Sequence, residues 1–143
     1  MLIGVPSEIK THEYRVGLTP ASVRELCERG HEAVVEHDAG DAIGLVDALY
    51  ASAGARIAAN AEEVFAAAAL IVKVKEPQGP ERVLLRDGQV LFTYLHLAPD
   101  PEQTRGLMAS GCVAIAYETV TDARGGLPLL VQAAGIVLVD SQF

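Results

Sequence analysis

Three short stretches of this sequence gather side chains suited to handling an oxo or amino acid. The first runs from Pro6 to Pro20 and carries Glu8, Lys10, His12, Glu13 and Arg15. A guanidinium fork matches a carboxylate bidentately. Val16 and Leu18 follow Arg15 and would hold it against a core, free to take a ligand or paired with a nearby glutamate. The second stretch, Val72-Lys73-Val74-Lys75-Glu76-Pro77, closes an apolar run with two lysines. Period-2 alternation places Lys73 and Lys75 on one face of a strand that Pro77 stops. Lys75 there meets a substrate carboxylate or carbonyl, or else both lysines snorkel to solvent. The third, Leu91-Phe92-Thr93-Tyr94-Leu95-His96-Leu97-Ala98, brings His96 to the end of a strand. An imidazole whose ordinary pKa is about 6.5 suits proton transfer at neutrality, or serves as a hydrogen-bonded structural group. One cation for a carboxylate, a second for a carbonyl and an imidazole for a proton suit a 2-oxo or 2-amino acid. None of these groups accepts a hydride.

Such residues work together only if the fold brings them to one place. Apolar runs at Leu2–Val5, Ala33–Glu36, Arg56–Ala58, Leu70–Val74, Val90–Leu95 and Val113–Ala116 read as strands. Helical patterns lie between them. Thr19-Pro20 and Asp100-Pro101 each pair an N-cap with a first-turn proline, while Gly30 and Gly111 close those helices. Asn60 and Glu63 open a helix through Ala67, Asp47–Ala53 is a short helix, and Pro80–Leu85 a turn or two. Strands alternating with helices predict an α/β fold: a mostly parallel sheet flanked by helices in a Rossmann-like or flavodoxin-like three-layer sandwich. Ligands of such sheets bind beyond the carboxyl ends of the strands, where all three charged stretches fall.

Composition narrows the partners. Eleven Lys and Arg against 19 Asp and Glu leave a net charge of −8, which disfavours nucleic acid and anionic membrane surfaces. The amino terminus lacks the pattern of a signal peptide, and no run approaches the ~18 apolar residues of a membrane span. A cytoplasmic protein is expected. Cys27 and Cys112 lack partners at metal-ligand spacing and read as buried free thiols, and no metal set stands out. No Gly-x-Gly-x-x-Gly follows a strand.

Gly4-Val5-Pro6-Ser7-Glu8-Ile9-Lys10 and Glu13-Tyr14-Arg15-Val16-Gly17-Leu18-Thr19-Pro20 resemble the opening of the alanine dehydrogenase and nicotinamide nucleotide transhydrogenase family. The two later stretches above and Ala116-Tyr117-Glu118-Thr119-Val120 continue the resemblance, in order, to about Leu130. The resemblance implies a substrate-binding domain over residues 1–130. It implies that Arg15 binds the substrate carboxylate, that Lys75 contacts its carboxylate or carbonyl end, and that His96 is the general acid/base. Tyr94 and Leu130 would line the pocket. The implied reaction is reversible deamination of L-alanine to pyruvate and ammonia with NAD. His96 favours alanine dehydrogenase over a transhydrogenase-type subunit. Saccharopine and lysine-forming dehydrogenases match less well.

After Leu130 the resemblance weakens. A family serine that helps hold the cofactor falls at Ala134, and Ile136–Val139 reads as a strand where the family has a helix. Residues 131–143 are thus expected to be a divergent tail. The NAD-binding domain is expected to lie outside this sequence, with no NAD bound to this chain and no activity from it alone. The alternatives are a non-catalytic folding or assembly domain and a transhydrogenase fragment. Homo-oligomers remain open.

Overall fold

The computed structural model describes residues 1–129. The strands are β1 (Leu2–Val5), β2 (Glu32–Glu36), β3 (Arg56–Ala58), β4 (Leu70–Val72), β5 (Val90–Thr93) and β6 (Val113–Ala116). They form one parallel sheet in the order β3-β2-β1-β4-β5-β6, the Rossmann rather than the flavodoxin order. The helices are α1 (Pro20–Glu28), α2 (Asp47–Ser52), α3 (Ala61–Ala67), α4 (Gly79–Arg82) and α5 (Pro101–Ser110).

The expected helix starts form for the expected reasons. The Thr19 hydroxyl accepts the Ser22 N–H, the Asn60 amide oxygen accepts the Glu63 N–H, and an Asp100 carboxylate oxygen accepts the Gln103 N–H. Alternation along β2 divides the core into two faces. Val34 joins Val64 and Phe65 of α3, Ile71, Leu91 and Leu107 on one side. Ala33 and Val35 join Val5, Val23 of α1 and Tyr50 of α2 on the other. The three-layer sandwich is therefore present.

Its two halves are unequally covered. β2 buries Ala33, Val34 and Val35, whereas Val113 and Ile115 of β6 are 52% and 42% exposed. Two strands stop sooner than expected. β4 ends at Val72 because the Val74 N–H turns from the sheet to the Glu8 carboxylate, at 2.6 Å. β5 ends at Thr93 because the Leu95 N–H donates to Glu118. Both departures lie at the carboxyl edge. Cys27 and Cys112 are free as expected but only half-buried.

Candidate active site

The sheet order reverses between β1 and β4, and this switch point is where open α/β sheets leave a crevice. The connection after β1 runs along it. Gly17 lets that connection touch β4: a Cβ there would lie 2.9 Å from the Val72 carbonyl carbon. Arg15 lies two residues before this contact.

Arg15 does not stand alone. Its Nε donates to Glu13 Oε1 at 2.7 Å and its Nη2 donates to Oε2 at 2.5 Å. Its backbone N–H also donates to Oε1, at 3.0 Å. Burial would raise the Glu13 pKa, but the hydrogen bonds and charge of Arg15 overcome it and hold the carboxyl below its usual range. The Lys75 ammonium pulls the same way, which ties the first charged stretch to the second. Glu13 takes the Nε–Nη2 edge of the guanidinium, so Arg15 is oriented as well as neutralised.

Lys73 and Lys75 part company. Lys73 is 2% exposed; its ammonium donates to Glu81 of α4 at 2.6 Å and lies 3.1 Å from Glu8 Oε2. That pair of carboxylates around one ammonium leaves a buried negative charge, and burial pushes the Glu8 carboxyl above its usual range. The expectation of two lysines on one face therefore fails: the strand ends at Val72, before alternation can act on them. Lys75 remains half-buried with its Nζ 5.3 Å from the centre of the Tyr94 ring, a cation–π distance.

Tyr94 stacks on His96 with ring centres 5.5 Å apart, and its hydroxyl is 3.3 Å from His96 Nδ1. Tyr117, on the turn after β6, packs against both Tyr94 and Phe92. Its phenol, pushed up to about 12 mainly by burial, stays protonated and donates to the Val74 carbonyl at 2.6 Å. Arg15 also acts electrostatically on Tyr117. Lys75, Tyr94 and His96 thus form one contiguous surface, and the charges of Arg15 and Glu13 act on its neighbours Tyr117 and Lys75. His96 itself is exposed. Leu130 lies outside the described residues, as does the expected strand at 136–139.

The profile described as "Alanine dehydrogenase/PNT, N-terminal domain" matches residues 4–137. The chain belongs to this family. Alanine dehydrogenases of Halomonas elongata and Bacillus subtilis are 54% and 51% identical over 130 residues, 91% of this chain. An L-alanine dehydrogenase structure superposes with a TM-score of 0.88 at 49% identity, covering 91% of this chain and 36% of that one. A transhydrogenase structure from Sinorhizobium meliloti gives 0.80 at 27% identity, covering 87% and 37%. The chain spans about a third of these relatives' length: 35% of the Halomonas enzyme and 34% of the Bacillus one.

Within this alanine dehydrogenase/PNT domain the Rossmann crevice does not fit a dinucleotide. Pyrophosphate binding there needs a short glycine-rich turn whose backbone amides face the ligand. Here the turn is long, it carries Glu8 and Glu13, and the amide of Ser22 at the start of α1 is taken by Thr19. One group of potential metal ligands is brought together among the described residues. His37, Asp38 and Asp47 have ligand atoms within 4.8 Å of one another. Those atoms already bond each other, His37 Nδ1 to Asp47 Oδ2 at 2.5 Å, and the hydrogen bond to Asp47 raises the histidine's pKa. The sequence reading missed Glu13, Tyr117 and Glu118 as members of the site. The spacing of Glu13 from Arg15 does signal a pairing, whereas Tyr117 and Glu118 carry no local signal because their partners are set by the fold.

Proposed function

We propose that this chain is the substrate-binding part of an L-alanine dehydrogenase. The observation that carries this reading is the Lys75–Tyr94–His96 surface at the switch point, with Arg15 at its side. Arg15 and Lys75 supply two positive charges for a small carboxylate, and Glu13 leaves Nη1 of the guanidinium for that role. The Lys75 ammonium also polarises an adjacent carbonyl oxygen. His96 exchanges a proton with the group on the 2-carbon, oxygen or nitrogen according to direction. Tyr94 buttresses both and excludes water from one side. In the whole enzyme the hydride goes to NAD held by a separate domain. Hydride transfer needs that cofactor beside the 2-carbon, so this domain supplies substrate binding and proton exchange rather than the hydride acceptor.

Titration with pyruvate, followed residue by residue in NMR spectra, tests this. Shifts centred on Arg15, Lys75, Tyr94 and His96 at millimolar pyruvate are expected, with acetone, which lacks the carboxylate, producing none. Absence of shifts at all four residues overturns the proposal. A transhydrogenase-type chain is the second reading, favoured by the likeness to the Sinorhizobium meliloti structure. It requires a pyruvate response indifferent to His96→Ala.

A further inference from the structure

We infer that Glu118 is the positioning residue for His96, a role that rests on the proposed use of His96 in proton transfer. His96 has φ +50, in the left-handed region that residues other than glycine seldom enter. A backbone in that region persists only where its surroundings hold it. Two anchors do so here. Leu95, 4% exposed, is packed into the core beside Leu91 and Leu107. One oxygen of Glu118, Oε1, accepts both the Leu95 N–H at 2.9 Å and the His96 N–H at 3.2 Å. The carboxylate comes from the turn Tyr117–Thr119, directly after β6, so it bridges the ends of β5 and β6.

The clamp decides where the imidazole points. With φ positive, the chain doubles back and His96 lies over Tyr94, its Nδ1 3.3 Å from the Tyr94 hydroxyl. Nε2 is then the nitrogen turned away from Tyr94 and offered to a ligand. Glu118 Oε2 is buried and has no hydrogen-bond partner among the described residues, so the carboxylate is committed to this task through Oε1 alone. Without the clamp, residue 96 relaxes to a negative φ and the ring leaves Tyr94. Glu118 touches the backbone of His96 and acts on a substrate only through it.

The test uses amide hydrogen exchange and ring-to-ring NOEs in the 143-residue chain. Glu118→Ala should remove exchange protection at Leu95 and His96 and abolish the NOE between the Tyr94 and His96 rings, leaving Phe92 protected. Glu118→Gln retains an acceptor oxygen and should keep all three signals. Unchanged protection and NOE in Glu118→Ala, or their loss in Glu118→Gln, overturns the inference. Should Glu118→Ala unfold, His96→Gly supplies the check, because glycine accepts positive φ unaided. The double variant His96→Gly/Glu118→Ala should then fold, and a double variant that stays unfolded overturns the inference. A pyruvate titration separates this claim from the proposed function. In Glu118→Ala, Lys75 should still respond and His96 should not. If neither responds in the unmodified chain, the proposed function fails while the exchange result still decides the clamp.

Discussion

Lys73 and Lys75 are two residues apart, share one strand exit and have opposite environments. Lys73 is sealed between Glu8 and Glu81, each side chain no more than 3% exposed. Lys75 reaches out to an aromatic ring beside a histidine. The difference lies in what surrounds each ammonium rather than in the lysine. The carboxylates of Glu8 and Glu81 hold the buried Lys73 ammonium, so it fastens the loop after β1 to β4 and α4. Lys75 keeps a side open to a ligand. A buried ion pair broken on one side strands the other charge, whereas an exposed lysine leaves little behind. The same contrast separates Glu8, pushed up by burial, from Glu13, held down by Arg15.

The largest break in this comparison comes from Lys73→Met. It leaves two buried carboxylates facing each other and should destabilise the fold by about 3–5 kcal/mol in urea denaturation. Lys75→Met should change stability by no more than about 0.5 kcal/mol. Next come the binding variants. Lys75→Met and Arg15→Ala should each cost about 1.5–3 kcal/mol of pyruvate binding, the range for hydrogen bonds to charged groups. Titration calorimetry or NMR measures this, and Lys73→Met at a temperature where it is folded should lose less. Gly17→Ala should cost about 1–3 kcal/mol, since its Cβ meets the backbone of Val72.

The smallest effect is in pH dependence. Glu8 is raised in the fold, so its contribution is fully present below the unfolded value of 4.5 and is lost as pH rises through the folded value. Glu13 is lowered, so its contribution is present above 4.5 and is lost as pH falls through the folded value. Stability profiles of Glu8→Gln and Glu13→Gln against the native chain should therefore diverge in opposite senses with pH. Parallel profiles would contradict the two environments.

Much of the sheet was legible because β-branched runs and cap-plus-proline pairs are local signals. Thr19-Pro20 and Asp100-Pro101 each begin a helix where they stand. Strand ends were harder. Val74 and Leu95 extend apolar runs, yet their amides bond carboxylates from residues 66 and 23 positions away. No window of sequence contains both partners. Arg15, Lys75, Tyr94 and His96 could be chosen from residue type, strand position and resemblance together. The fork of Glu13, two residues from Arg15, was one of the readings open for that guanidinium, but the seal on Lys73 and the grip of Glu118 could not be read, since each is made by tertiary packing. The unequal cover of β2 and β6 was equally hidden, because both read as short apolar strands.

Arg15 borders a cleft of about 300 Å³ lined by Ser7, Lys10, His12, Asp38 and Ala42. Under the proposed function a small oxo acid sits on the Lys75 side of Arg15 instead. Intermolecular NOEs from the pyruvate methyl group measure this most directly. Contacts to the ring protons of Tyr94 and His96 are expected. Contacts to His12 and Ala42, with none to Tyr94 or His96, would contradict it.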